Sequence, residues 1–425
     1  MRDHSKHIEV NRDEAVRLLL GVCDFKPRTE TVPVGEACGR VTAAPVTAQL
    51  DMPNCLTCNL DSVAVHWDDF KDGMPDTSGW QRGVQWEFAN TGIGMPEGFD
   101  TAIVIEHVQL ADDLSSITFD AAPSRQYAGT SPAGNRMHAG DVLVPKDTLL
   151  TPLLVSLAAS GNNATVQVYA KPVVAFLPTG NELVKPGGAV PRGKNIETNS
   201  LLAAAKIEAW GGICRVWDIT PDDPVLIRKA VCEAAAQSDI VVLNAGSSKG
   251  SDDWNMEMLD EVGTVLYHQT THGPGHHSSG AVVNGTPVVG ISGPPGGVSF
   301  TMDFYLHPVM MRFLGQDTAP VRVPVKLTEG LAKKGHVGGG HGAASGAPKG
   351  EVRPSIVAPG QEFFAVKQLR FVPSGDGDGA LRLAEPAGSS HPSVKDANTM
   401  DAYFLQSSLK EPPQAGDIIW VELRS

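Results

Sequence analysis

The pattern of apolar and polar positions changes several times along the chain, and each change marks a different kind of structure. Residues 10–23 begin with the capping pair Asn11 and Glu14 and continue with apolar residues at helical spacing, which predicts an amphipathic helix. From 49 to 139, short apolar runs separated by Gly and Pro predict strands and turns. A strand-like start at 140 then leads into a predicted helix that ends at Gly161.

Residues 171–314 alternate short apolar runs with longer amphipathic segments. The predicted strands are 172–177, 214–219, 239–243, 281–283 and 287–291, and the predicted helices are 199–210, 224–237, 254–262 and 298–314. Asn284-Gly285 lies between the last two strands and is a strong signal for a two-residue hairpin. Strands that alternate with helices predict a doubly wound parallel sheet.

Beyond Gly315 the pattern is again that of strands, which predicts a barrel-like β domain; the low-complexity stretch 336–350 inside it is predicted to be a flexible loop. The sequence therefore predicts an elongated multidomain α/β protein. Its domains are an N-terminal helical and linker domain (1–48 with 140–170), a β-rich domain (49–139), a doubly wound α/β domain (171–318) and a C-terminal β domain (319–425).

Composition and charge argue against several classes of function. The 425 residues carry 34 Lys and Arg against 48 Asp and Glu, a formal charge of -14, and only 6% are aromatic, so a nucleic-acid or membrane-surface binder is not expected. The apolar runs are too short for a membrane span, and the N-terminus lacks the apolar core of a secretory signal peptide. Six scattered cysteines fit a reduced, cytoplasmic protein.

Four loops that follow predicted strands carry the candidate chemistry, and parallel strands would open all four at one edge of the sheet. Their Gly-rich turns let backbone amides approach an anion, while carboxylates and hydroxyls in them suit Mg²⁺ and phosphate. The sequence has neither a complete P-loop nor a dinucleotide fingerprint. It thus predicts a phosphate-bearing ligand with a divalent ion. The loops are PTGNEL (178–183), DITPDDP (218–224), NAGSSKGSDD (244–253) and GISGPPGG (290–297).

These loops resemble the motifs TGDEL, DDP, SGGxSxGxxD and GLPGNPVS of the molybdopterin molybdenumtransferase family, the molybdenum insertases similar to the E-domain of gephyrin. IETNS (196–200), LDSVAV (60–65) and NTGIGMPEGFDTAIVIE (90–106) also resemble family segments, in the family's order. The resemblance covers essentially the whole chain.

The resemblance implies elongated homodimers of four-domain subunits. It implies an enzyme that binds adenylylated molybdopterin and molybdate, cleaves the adenylate with a divalent metal such as Mg²⁺, and releases molybdenum cofactor and AMP. The pocket would lie between the α/β domain of one subunit and the β-rich domain of its partner. Molybdopterin adenylyltransferase and molybdoenzymes are further expected partners.

By the same resemblance, Glu182 and Asp253 are the expected metal-binding and catalytic residues. Lys185, Lys194 and Lys249 are additional candidate phosphate contacts. The expected substrate-binding residues are Thr91, Gly92, Thr179, Gly180, Asn181, Asn199, Asp222, Asp223, Gly246, Ser247, Ser248, Gly250, Gly293 and Pro295, with Thr91 and Gly92 supplied by the partner subunit.

Several positions depart from the family pattern. Leu56 and Arg136 replace carboxylates, Asn181 replaces the aspartate of TGDEL, and HGPGH (272–276) replaces the lysine-bearing KPGKP. These departures leave a second hypothesis open: a relative without turnover that binds molybdopterin or molybdenum cofactor for storage, delivery or regulation. A molybdopterin adenylyltransferase is a third, less favoured hypothesis, and the choice between molybdate and tungstate stays open.

Two further groups of residues invite a metal hypothesis. Cys55 and Cys58 form a CxxC pair without further ligands nearby, which favours two half-buried thiols over a metal site. The cluster of His272, His276 and His277 is expected to be a solvated loop rather than a metal centre.

Overall fold

The computed structural model describes residues 8–22, 27–245, 254–293, 295–331, 362–373, 381–387 and 400–425. The chain forms two compact units, one of Met1–Arg28 with Ala170–Ser425 and one of Thr29–Tyr169. The division into four domains stays a prediction. None of the described helices is long and apolar enough to cross a bilayer.

Seven α-helices are described. They are α1 (Arg12–Val22), α2 (Pro152–Ser160), α3 (Asn199–Ala209), α4 (Pro224–Gln237), α5 (Trp254–Val262), α6 (Pro295–Thr301) and α7 (His307–Phe313), with short 3-10 turns at Val34–Glu36, Trp67–Asp69 and Ile105–His107 and a π-helical segment at Met302–Leu306.

The first described strand, β1 (Glu9–Val10), belongs to the larger unit. The described strands of the smaller unit are β2 (Thr29–Pro33), β3 (Val46–Thr47), β4 (Thr57–Cys58), β5 (Ser62–Val65), β6 (Trp86–Ala89), β7 (Thr101–Val104), β8 (Val108–Leu110), β9 (Ile117–Phe119), β10 (Thr130–Ser131), β11 (Val142–Val144) and β12 (Thr165–Tyr169). Those that follow are β13 (Val173–Pro178), β14 (Leu183–Val184), β15 (Asn195–Ile196), β16 (Ile213–Val216), β17 (Ile240–Ala245), β18 (Thr264–Tyr267), β19 (Gln269–Thr270), β20 (His272–Gly273), β21 (Ser279–Val283), β22 (Thr286–Ser292), β23 (Arg322–Leu327), β24 (Phe364–Val372), β25 (Arg382–Pro386), β26 (Ala402–Ser407) and β27 (Ile418–Leu423).

A six-stranded sheet is the centre of the larger unit, in the order β16-β13-β17-β22-β21-β18. The strands β16, β13, β17 and β22 are parallel, as predicted, whereas β21 is antiparallel to both of its neighbours, β22 and β18. β21 therefore reverses direction within a sheet whose other strands all run the same way. The reason is the predicted hairpin itself: Asn284 and Gly285 both have positive φ, of 52° and 82°, and a two-residue turn joins only antiparallel strands.

The helices packed on this sheet follow the predicted segments closely. The bounds of α4 and α5 match the prediction, and the Asn11 side chain accepts the backbone N–H of Glu14 at the start of α1, at 2.9 Å. The last helical segment differs from its prediction because it begins at Pro295 and passes through the π-helical turn at Met302–Leu306. Pro308 has no N–H to donate to the preceding turn, which accounts for an irregular helix at this point.

Both faces of the sheet are buried. Along β13, Val174 and Phe176 point into one apolar core, which also holds residues of α1 and α3. Ala175 and Leu177 point into a second core with residues of α4. Because side chains of a strand alternate between faces, this double burial explains why β13 is apolar without interruption.

The C-terminal strands close into a small barrel. The order β24-β25-β23-β27-β26 is completed by pairing of β26 with β24, so these five strands leave no free edge among themselves. Val325, Leu369 and Val421 are fully buried at its centre. The stretch 336–350 that was predicted to be flexible lies outside the described residues.

The smaller unit is built from short strands, as its sequence predicts. β5 is the central strand of a three-stranded antiparallel sheet, and it pairs with β6 and β7. β2 pairs with β12, and the nearby helix α2 is capped by the Thr151 hydroxyl, which accepts the N–H of Leu154 at 3.3 Å.

A buried ion pair joins the first helix to the last strand within the larger unit. Arg12 of α1 bonds the carboxylate of Glu422 on β27, and the two side chains are only 9% and 8% exposed. Glu422 also accepts from Arg322, at 2.9 Å. A buried charge that loses its partner is strongly destabilising, so this pair holds α1 against the barrel.

We expect Glu422→Gln to lower the free energy of unfolding of the larger unit by about 3 kcal/mol, because the buried Arg12 would keep only the exposed Asp13 as a counter-charge. Urea denaturation measures the change. The matched control is Glu14→Gln, which breaks the solvent-exposed ion pair with Arg17 on the same helix and should leave the unfolding midpoint unchanged. An equal response of the two variants would contradict a stabilising role for the buried pair.

Candidate ligand-binding site

The carboxyl ends of the parallel strands bring the predicted loops together. The N–H of Thr179 donates to the carbonyl of Asn244 at 3.0 Å, and the N–H of Gly180 donates to the carbonyl of Thr220 at 3.1 Å. The ends of β13, β16 and β17 are thus hydrogen-bonded to one another. The first two loops and the start of the third therefore lie at one edge of the sheet, as predicted, and residues 246–253 of the third loop lie outside the described residues.

Asn199 connects this group to the fourth loop. Its side-chain NH₂ donates to the Asn244 side-chain carbonyl at 2.9 Å and to the backbone carbonyl of Gly293 at 2.8 Å. Asn199 is buried at the start of α3, and its amide nitrogen is used by these two bonds. Its role in the structure is therefore to hold the β17 and β22 loops together.

Asn181 and Asp222 form a reciprocal pair between the first two loops. The N–H of Asn181 donates to the Asp222 carboxylate at 2.9 Å, and the N–H of Asp222 donates to the Asn181 side-chain carbonyl at 3.2 Å. The neighbouring Asp223 caps α4 by accepting the N–H groups of Val225 and Leu226. Asp223 thus acts as a helix cap, and Asn181 and Asp222 fix the loop backbone.

Glu182 lies beside a glycine turn. Gly180 has φ +149°, a backbone conformation that favours glycine. The Glu182 carboxylate folds back over this turn, and one of its oxygens lies 2.6 Å from the position that a Cβ at residue 180 would occupy. The side chain is half-buried at the edge of the sheet, with its oxygens beside the backbone of the first loop.

The remaining predicted residues of this edge are only partly described. Gly293 accepts the Asn199 bond, and Pro295 begins α6. Five predicted site residues, Gly246, Ser247, Ser248, Gly250 and Asp253, lie outside the described residues together with Lys249. Among the residues that the structure describes, no three His, Cys, Asp or Glu side chains form a group that could hold a metal ion.

The HGPGH segment is not the solvated loop that the sequence led us to expect. His272 is 1% exposed, its Nδ1–H donates to the carbonyl of Pro274 at 3.1 Å, and its Nε2 accepts from the hydroxyl of Tyr305. Its ring also stacks on that of Tyr305. Burial lowers the pKa of His272 to about 3 from 6.5, so the imidazole is neutral. His276 is buried as well, and its ring contacts that of His277.

Sequence reasoning missed this because nothing in HGPGHHSS has the periodicity of a buried segment. β20 pairs with β24 of the barrel, which comes almost a hundred residues later, and aromatic side chains of the π-helical segment complete the enclosure. The segment follows β18 and precedes β21, so it returns to the same edge of the sheet as the predicted loops.

Thr91 and Gly92 belong to the smaller unit. The Asp61 carboxylate accepts both the N–H and the hydroxyl of Thr91, at 3.0 and 2.9 Å, and these bonds lower its pKa. Gly92 follows with φ +76°, which a glycine adopts without strain. The turn is thus held by a carboxylate at the start of the central strand β5.

The positions that depart from the family pattern are all described. The carbonyl of Leu56 accepts the N–H of Met95 at 2.8 Å, and the N–H of Arg136 donates to the carbonyl of Met52 at 2.9 Å. Cys58 is buried and its thiol donates to the carbonyl of Leu60 at 2.9 Å, whereas Cys55 is exposed rather than half-buried.

An α/β sheet with Gly-rich loops at one edge, followed by a small closed barrel, defines a class of multidomain ligand-binding proteins. Comparison with known proteins identifies the family within it. A family model described as the MoeA N-terminal region (domain I and II) matches residues 10–161, and one described as a probable molybdopterin binding domain matches residues 175–312.

Relatives and solved structures agree with these matches. The chain is 28% identical over 319 residues to the molybdopterin molybdenumtransferase of Haemophilus influenzae, covering 72% of this chain and 78% of that protein. It is 28% identical over 340 residues to that of Bacillus subtilis, covering 74% and 77%. A crystal structure of the molybdopterin biosynthesis MoeA protein of Pyrococcus horikoshii OT3 aligns with TM-score 0.69 and 21% identity over 98% of this chain and 100% of that chain, which shows the same fold. The chain belongs to the molybdopterin molybdenumtransferase family.

The buried His272 predicts a specific pH dependence of stability. Its pKa in the folded state, about 3, lies below the ordinary 6.5, so its contribution to stability is present above pH 6.5 and is lost as the pH falls toward 3. In His272→Gln, which does not titrate, we expect the loss of stability between about pH 6 and pH 4 to be shallower by up to about 1.4 kcal/mol per pH unit.

Urea denaturation at a series of pH values measures this slope. His107→Gln, which removes an exposed imidazole in the other unit, is the control and should keep the wild-type slope. If His272→Gln also keeps that slope, the imidazole is not held neutral by the fold.

Proposed function

We propose that the protein acts in molybdenum cofactor biosynthesis as a molybdopterin molybdenumtransferase. It would bind adenylylated molybdopterin and molybdate, insert the metal into the pterin and release AMP. The observation that carries the proposal is the set of family loops tied together at one edge of the sheet, by Asn199 and by the Asn181–Asp222 pair. This rigid edge offers the Glu182 carboxylate and the glycine turn at Gly180 to a ligand that carries phosphates and a divalent cation.

The roles of the described residues follow from their contacts. Gly180 has no Cβ, so the ligand's phosphates could approach the backbone of this turn closely. Asn181, Asn199, Asp222 and Asp223 hold the loops in place through bonds that are already made. We therefore assign them to positioning of the binding surface.

Glu182 is the described residue that would hold a divalent cation such as Mg²⁺. Mg²⁺ bound to phosphates needs only one or two protein carboxylates, so a single placed carboxylate fits this chemistry, and Asp253 is the proposed second ligand. When bound, the ion neutralises charge on the phosphates and thereby favours departure of AMP. The Glu182 carboxylate folds back over the turn at Gly180, where the phosphate chain would lie.

The proposal includes a homodimer in the cytoplasm, with molybdate rather than tungstate as the metal source. The ligand would come from a molybdopterin adenylyltransferase, and the product would pass to molybdoenzymes. Support for molybdate comes from the names of the relatives, which are molybdopterin molybdenumtransferases.

Release of AMP tests the proposal. With the full chain, adenylylated molybdopterin, molybdate and Mg²⁺, we expect AMP to appear, and we expect Glu182→Gln to slow its release about 100-fold because the cation loses a charged ligand. The control Glu208→Gln removes an exposed carboxylate from α3 and should release AMP at the wild-type rate.

Two outcomes would contradict the proposal in different ways. If the wild-type protein binds adenylylated molybdopterin but releases no AMP above a protein-free blank, the protein is a binding relative without turnover. If it binds neither molybdopterin nor its adenylylated form, the function lies outside this family chemistry altogether.

A further inference from the structure

The segment 185–194, which we call the basic loop, is cationic although the protein as a whole is acidic. Its sequence KPGGAVPRGK contains Lys185, Arg192 and Lys194 and no carboxylate, although the protein as a whole has a formal charge of -14. All ten of its residues are exposed. It is therefore a local positive surface on an acidic protein.

The base of the basic loop is fixed on the candidate site. It leaves from β14 and returns through β15, which pair with each other directly after Glu182. The N–H of Asn195 donates to the Glu182 carbonyl at 2.8 Å, and the Lys194 ammonium donates to the carbonyl of Asn181. The loop thus begins and ends at the edge where the phosphates are expected.

The three cations differ in what they already bind. Lys185 is paired with Asp218 at 2.7 Å, and Lys194 is bonded to the backbone of the first site loop. Arg192 forms no ion pair or side-chain hydrogen bond with the part of the chain that the structure describes. A guanidinium has five N–H donors in a planar fork that matches phosphate oxygens, so Arg192 is the cation best suited to an added anion.

His272 does not supply a positive charge for this anion. Where KPGKP has lysines, this chain has HGPGH, and its His272 is buried, bonded to Tyr305 and neutral. A ligand with several phosphate charges needs a cation at this edge. The basic loop lies at the same edge and carries three.

We propose that Arg192, carried by the basic loop and supported by the neighbouring charge of Lys194, binds the phosphate groups of the ligand. Two residues separate the backbone positions of Arg192 and Lys194 by at most about 7 Å, and Lys194 already reaches the first site loop. An extended arginine side chain spans a similar length. This inference rests on the proposed function, because it assigns the contact to the phosphates of adenylylated molybdopterin.

The test compares affinities for adenylylated molybdopterin by calorimetry at several salt concentrations. In Arg192→Gln we expect the Kd to rise about tenfold and its dependence on salt to weaken, because one phosphate contact is lost. Arg192→Lys keeps the charge without the fork, so its salt dependence should match that of the wild-type protein while its Kd lies in between.

Lys229→Gln is the matched control. It removes an exposed cation of α4 that pairs weakly with Glu233, at 3.8 Å, and it should leave both the Kd and the salt dependence unchanged. If the wild-type protein binds the ligand and Arg192→Gln binds it equally well at every salt concentration, the assignment of Arg192 is wrong while the proposed function stands. If the wild-type protein does not bind the ligand, the proposed function fails, and the assignment with it.

Discussion

Burial of the central sheet on both faces is the constraint on which the larger unit depends. Phe176 and Leu177 are neighbours on β13, yet they enter different cores, one shared with α1 and α3 and the other with α4. Because helices cover both faces of the sheet, polar side chains can reach solvent only at the ends of its strands. The site loops therefore collect at the carboxyl edge, where a rigid sheet supports them and solvent reaches them.

The sequence predicted a helix or strand correctly where several local signals agreed. α4 was predicted to the residue because Asp223 caps it, Pro224 opens it and its apolar residues recur at helical spacing. β18 was missed because Thr264–Tyr267 is short and is separated from α5 by only one glycine. The hairpin turn predicted that β21 and β22 are antiparallel. The position of this hairpin in the six-stranded sheet could not be predicted, because it depends on pairing with strands that are distant in the chain.

In the candidate site, too, local features could be predicted from the sequence whereas long-range contacts could not. The residue types at the edge were predictable because each loop directly follows a strand. What each side chain does was not, because its partner lies far away in the chain: Asn199 bonds Asn244 and Gly293, which are 45 and 94 residues distant. Asp223 offered a possible metal ligand in the sequence, whereas in the fold its carboxylate is used by two backbone N–H groups of α4.

The packing around position 272 explains why this position carries a neutral side chain. Any side chain at position 272 lies against Phe304 and Tyr305, on a strand that pairs with the barrel, so an ammonium there would lose its hydration without a counter-charge. A neutral imidazole that bonds Tyr305 satisfies this position instead. An anionic ligand at this edge would therefore depend on other cations, and the exposed basic loop is their proposed source. Because interactions between exposed charges are screened over about 8 Å in physiological salt, cations close to a ligand would act on it despite the net charge of -14.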